Sequence, residues 1–136
     1  MVDCSVSLAW HFEDEVSPTA ELVLEWILNR GAIVPSHWKA EVANGLLFGV
    51  RRGRMSLNRR ASVLLQLEAL GMSVDSESET HVWSETLALA DAHNLTIYDA
   101  IYLELAKRKS LPLATLDKNL SRAAHEAGVQ VFKAVA

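Results

Sequence analysis

Cysteine is almost missing from this chain. Cys4 stands alone among 136 residues, so neither an intramolecular disulfide nor a cysteine-based metal cluster can form. That fits a reducing compartment, and a lone thiol beside an apolar segment is expected to pack as a small core residue. No apolar run approaches the ~20 residues of a membrane span, and the N-terminus lacks the basic region and long apolar core of a secretory leader. A cytoplasmic protein with no membrane contact is therefore expected. Neither G-x-G-x-x-G nor a P-loop is present, which argues against a nucleotide cofactor. The five histidines, at 11, 37, 81, 93 and 125, show no HExxH or other ligand spacing and read as surface or packing residues. Positive charge is also in short supply. Thirteen Lys and Arg against 17 Asp and Glu leave a net charge of −4, too acidic to grip nucleic acid by bulk electrostatics alone. A nuclease is not excluded, because bound metal ions cancel local acidic charge.

What is present is a chain half apolar by composition and the size of one domain, so a single domain over 1–136 with a substantial core is expected. Short apolar segments at 1–4, 32–34, 72–74, 113–116 and 129–132 read as strands, and the stretches between them as helices. Punctuation supports the helices. Ser17-Pro18 is an N-cap followed by proline at the first position, Ser36 reads as a cap, and Gly31, Gly71 and Gly128 as stops. Val82, Trp83, Leu87 and Ala90 are expected to form the buried side of a helix, after a polar loop over 75–79. Strands alternating with helices favour a parallel sheet covered on both faces, a three-layer α/β/α sandwich with five strands.

In such a sheet the carboxyl ends of strands and the first turns of helices share one rim, and acids gather there. Thr96 followed by Asp99 is a helix cap with an acidic third position, Asp117 ends the strand at 113–116, and Asp3 ends the first strand. Glu41 lies one to two turns into the helix after the second strand, on a face shared with Asn44. Each acid alone also reads as a helix cap. Together, Asp3, Glu41, Asp99 and Asp117 would repel one another unless a cation lay between them. Oxygen ligands without a His or Cys set point to Mg²⁺ or Mn²⁺, whose chemistry suits phosphodiester hydrolysis.

The segments VDCSVSLAWHFEDE (2–15), PSHWKAEVANGL (35–46), TIYDAIYLELA (96–106) and LATLDKNL (113–120) resemble the four acidic motifs of the PIN domain, in particular its VapC-type toxin ribonucleases. The resemblance covers nearly the whole chain in order. It implies a five-stranded sheet of order 3-2-1-4-5 and an RNA substrate. Asp3 and Asp99 would be the principal metal ligands, Glu41 would complete the cluster, and Asp117 would support it or hold a second ion. Ser5 and Thr115, with Asn44, would steady these acids from behind. Only Met1 and Val2 precede Asp3, fewer apolar residues than the family usually has there, so the first strand is expected to be short. A cognate VapB-type antitoxin and a homodimer belong to the same expectation; the competing one is a PIN-like module that binds RNA or protein with little or no cutting.

Phosphoacceptor receiver domains and HAD-type phosphatases share the architecture. The first would need paired acids at the first strand and a lysine ending the last; the second would need an Asp where Ser5 stands. Three features stay open. Residues 51–60 hold five arginines, and Arg51, Arg52 and Arg54 either contact RNA phosphates or belong to a solvated turn. Trp10, Trp26, Trp38 and Trp83 fit core spacing, although Trp10 and Trp38 lie near enough to the rim to stack on bases. Apolar residues over 61–70 cover more of their helix than one core contact needs, pointing to a second copy or an antitoxin peptide.

Overall fold

A computed structural model describes residues 1–15 and 17–133. Local capping chemistry sets most of its helix starts. Asp3 accepts the Val6 N–H ahead of α1 (Cys4–Ala9), and Ser17 accepts that of Ala20 ahead of α2 (Pro18–Arg30). α3 (Trp38–Arg51) begins without a side-chain cap: His37 holds the position, and Ser36, expected there, donates to Glu79 instead at 3.2 Å. Ser56 caps α4 (Leu57–Ala69); α5 (Leu87–His93) has no capping side chain; Thr96 caps α6 (Ile97–Lys109) and Asp117 caps α7 (Lys118–Glu126). Gly31, at φ +76°, ends α2 in a conformation a Cβ would strain.

Two strands, β1 (Ile33–Pro35) and β2 (Ser73–Asp75), pair in parallel with Val34 opposite Val74. The strands expected at 1–4, 113–116 and 129–132 are reduced to single parallel bridges, Val2 with Ala114 and Leu113 with Val131. Backbone bonds extend them: Asp3 N–H donates to the Ala114 carbonyl at 3.1 Å, and Phe132 N–H to that of Leu113 at 2.9 Å. The first segment is short for a local reason, since Asp3 is already a helix cap and the chain turns helical at Cys4. The fold is α/β with parallel pairing, and no bridge joins the two paired groups among the described residues. No described helix is long and apolar enough to cross a membrane.

α6 is buried on every side from Ala100 to Ala106, as befits a central helix with little amphipathic pattern. Around it the core draws on Val2, Val6, Leu46, Leu113 and Leu120. α1 lies close on α3 because Gly45 and Gly49 face Leu8 and Phe12; a Cβ on Gly49 would sit 2.6 Å from the Phe12 ring.

The tryptophans divide. Trp38 is buried and donates to Ser7 Oγ at 3.0 Å, which removes it from base stacking. Trp10 is half-buried and donates to the Ala20 carbonyl at 2.6 Å. Trp26 is exposed at the surface, edge-on to Phe132. Trp83 is 93% exposed and Leu87 is exposed too, contrary to the expected buried face. Residues Val82–Thr86 form a π-turn, whose extra residue per turn rotates the register so that Thr86 faces inward in place of Trp83, while Ala90 is buried as expected. On α4, Val63 and Leu67 are buried while Leu64 and Leu65 remain exposed, so the wide apolar face is uncovered.

The region expected as a polar loop contains a buried ion pair. Asp75 takes Arg108 Nη2 at 2.6 Å and Ser78 Oγ at 2.6 Å, and Arg108 Nε reaches Glu104 at 2.7 Å. Burial pushes the Asp75 carboxyl up, but Arg108 and Ser78 override it and bring the pKa down to about 2. This joins the end of β2 to the last turns of α6. Arg108→Met should leave Asp75 and Glu104 as buried, unpaired charges and lower unfolding free energy by about 3–5 kcal/mol in urea denaturation. Arg122→Gln, which breaks an exposed pair with Glu126, should cost less than about 1 kcal/mol in the same assay.

Candidate active site

Four helix N-termini deliver the acids singled out in the sequence. Asp3 and Asp117 are the N-caps of α1 and α7, Asp99 is the third residue of α6 and Glu41 the fourth of α3. All four line one cleft of about 630 Å³. Asp3 lies deepest, 4% exposed, with its carboxylate fully engaged. Oδ1 accepts from Ser5 Oγ at 2.6 Å and from Val6 N at 3.2 Å, and Oδ2 accepts from Thr115 Oγ1. Ser5 Oγ in turn accepts from Leu116 N at 2.9 Å, and Thr115 Oγ1 from Asp117 N at 3.0 Å. Glu41 and Asp99 are half-buried; Asp117 is exposed at the mouth. Asn44 is exposed on α3 and is not part of the lining.

At Asp3 and Asp99 the cleft's electrostatics are those of acids beside other acids. Burial raises the Asp3 pKa to about 6 against three hydrogen bonds that pull it down, and Asp99 adds to the rise. Asp99 is also raised, first by burial and then by Asp117 and Glu41. At Glu41 burial pushes upward, but nearby His37 and Tyr102 outweigh it and the net shift is down.

The sequence reading did not single out three of the polar residues around these acids. Glu15, from the acidic turn after α1, lines the cleft, which makes five acids in a lining with no Lys, Arg or His among the described residues. His37 sits beside Glu41, with Nε2 3.0 Å from Oε1. The same Nε2 lies 3.1 Å from the Tyr98 carbonyl, and the buried Glu41 Oε1 has no hydrogen-bond partner beyond this imidazole among the described residues. Tyr102 in the cleft wall is buried with its hydroxyl unpaired, and burial beside Glu41 holds its phenol above the ordinary range. Spacing could have found two of these residues, because His37 precedes Glu41 by four and Tyr102 follows Asp99 by three. Nothing local marks Glu15. Cys4 also lines the cleft, only half-buried, and burial lifts its thiol pKa to about 12, so it is inert as a nucleophile.

The donor set fits a hard divalent cation: oxygen ligands only, with the Asp3 and Asp99 carboxyls raised by burial and by neighbouring acids. Among the described residues no three acidic, His or Cys side chains already converge on one point. The fit is therefore to an ion taking one or two carboxylates directly and keeping water on its other positions, as Mg²⁺ does. The arginine turn meets the cleft only through Glu15 and contributes no residue to its described lining. Arg54 pairs with Asp14 at 2.8 Å and Glu15 at 3.2 Å and covers Phe12, while Arg51 and Arg52 lie over Phe48.

Comparison with known proteins adds three findings. The family model described as PIN domain matches residues 1–126. Ribonuclease VapC3 of Pyrobaculum aerophilum is 30% identical over 121 residues, 89% of this chain and 91% of that protein. The crystal structure of PAE2754 from Pyrobaculum aerophilum superposes with a TM-score of 0.65 at 26% identity, covering 90% of this chain and 83% of the other.

The Asp3 environment has a signature in stability. Metal-free folded protein holds the Asp3 proton up to about pH 6, whereas the unfolded chain releases it near the ordinary aspartate value of 3.8. Between those values unfolding releases a proton, so stability falls as pH rises, by on the order of 3 kcal/mol from this group alone. In EDTA, Asp3→Asn should therefore be more stable than the wild type at pH 7.5 and lose that advantage near pH 4, as read by urea denaturation at both pH values.

Proposed function

Since this chain belongs to the PIN domain family, and within it to the VapC type, we propose that it is a Mg²⁺- or Mn²⁺-dependent endoribonuclease, the toxin component of a VapBC-type toxin–antitoxin pair. The observation that supports this most is the cleft itself, with five acids and no basic residue in its described lining. Asp3 and Asp99 would hold the ion, with Glu41 and Asp117 completing the acidic set. When bound, the ion would neutralise phosphodiester charge and acidify water for attack. The chain's own part is orientation. Ser5, Thr115 and the Val6 amide fix the Asp3 carboxylate, and Glu41 Oε1 is placed to accept a hydrogen bond from a water.

The rest of the reading follows from the family. A VapB-type antitoxin, a homodimer, a single domain over 1–136 and a cytoplasmic setting go with it, and the uncovered Leu64 and Leu65 on α4 support a partner surface. So does a sheet order of 3-2-1-4-5. The pairings of β1 with β2, Val2 with Ala114 and Leu113 with Val131 supply three of the four neighbours that order requires. A second reading, a PIN-like module that binds without cutting, draws on the absence of three convergent ligands among the described residues.

RNA cleavage separates the two. The wild type should cut RNA in Mg²⁺ or Mn²⁺ and stop in EDTA, and Asp99→Asn should lose about 100-fold or more in rate. Cleavage by Asp99→Asn at the wild-type rate would refute the assignment.

A further inference from the structure

α7 carries Lys118, Ser121, Arg122 and His125 at offsets of three, four and seven, a single stripe of the helix, while Leu120, Ala123 and Ala124 face the core. The stripe lines a second cavity, about 810 Å³, whose other wall is the extended segment from Val129 to Val131 together with Lys133. Leu116 and Asp117 line both this cavity and the acidic cleft, so the two adjoin at the mouth.

The charges differ sharply across that boundary. In the groove, Arg122 is held by Glu126 at 3.0 Å and by Asn119, but Lys118 and Lys133 have no ion pair among the described residues. A cleft of carboxylates repels phosphates flanking the one it cuts, so affinity for a polyanion must come from cations next to it. The arginine turn is a poorer source: Arg54 is already neutralised by Asp14 and Glu15, and Arg51 and Arg52 lie over Phe48 and line neither the groove nor the cleft.

We propose that the α7 groove carries the backbone of a single RNA strand to one side of the scissile bond. Lys118 and Lys133 meet its phosphates and the Ser121 hydroxyl supplies a neutral donor; the inference rests on the nuclease reading above. Lys118 to His125 spans about 10 Å of helix, long enough to meet more than one successive phosphate. A protein of net charge −4 can then hold RNA through a local stripe instead of its overall field.

Fluorescence anisotropy of a fluorescein-labelled, unstructured 12-nucleotide RNA tests this in EDTA, where nothing is cut. Lys118→Gln/Lys133→Gln should weaken binding on the order of tenfold at low salt and reduce the slope of log K against log salt by about 1.4, at ~0.7 per phosphate contact. Arg51→Gln/Arg52→Gln should stay within about twofold of wild type, and a duplex of the same sequence should compete poorly. The proposal is overturned by any of three results: no binding by the wild type, an unchanged affinity and slope in the lysine variant, or equal losses in the lysine and arginine variants. A duplex that competes as well as the single strand overturns it too. Cleavage in Mg²⁺ is scored separately: RNA that is bound through the lysines but left uncut counts against the nuclease reading and not against the groove.

Discussion

One carboxylate, that of Asp3, closes contacts from three directions at once. The Val6 amide reaches it from α1, Ser5 from its own turn and Thr115 from a segment 112 residues away in sequence, while the Asp3 amide bonds the Ala114 carbonyl. The same atoms therefore start a helix, fasten the N-terminal segment to its neighbour and present an acid at the rim. Remaining distances in the cleft follow from that anchorage. Gly45 and Gly49 let α3, with Glu41, lie against α1, and α7 starts at Asp117, two residues beyond Thr115.

Two buried aspartates in this chain show what a counter-charge does. Asp75 and Asp3 are almost equally inaccessible, yet the first has a pKa near 2 and the second near 6. Both accept hydroxyl hydrogen bonds. They part in two ways: Asp3 lies deeper, so desolvation dominates there, whereas Arg108 sits against Asp75 and has no equivalent at Asp3. One site is built as a closed electrostatic unit tying β2 to α6. At the other the chain leaves negative charge uncompensated and accepts lower stability, as functional clefts commonly do. Helix N-termini relieve part of the repulsion, since Asp3, Asp99, Asp117 and, less directly, Glu41 all lie where backbone dipoles favour anions.

The wider charge pattern has the same logic. Acids concentrate in the cleft, and two cations without ion pairs among the described residues, Lys118 and Lys133, line the adjoining groove across the boundary formed by Leu116 and Asp117. The arginine-rich turn, the most conspicuous basic stretch in the sequence, is partly spent on internal pairing. Counting charges along a chain cannot distinguish a cation that is already paired from one that is available.

What the sequence determined by itself is what chemistry within about four residues controls. Ser17 and Thr96 as helix caps and the placement of Asp3, Asp99 and Asp117 at element ends follow from a side chain reaching its own backbone, and the stops at Gly31, Gly71 and Gly128 from the positive φ that glycine adopts without strain. Strand lengths were less legible, because pairing depends on a distant neighbour, and three of the five expected strands shrink to single bridges. Only the tertiary structure decided that Asp75 is a buried partner of Arg108, that a π-turn sends Trp83 outward, and that Glu15 lines the cleft with Glu41 and Asp99. Each of these rests on contacts between residues far apart in the chain or on a helical register that shifts by one residue, and neither leaves a trace in local spacing.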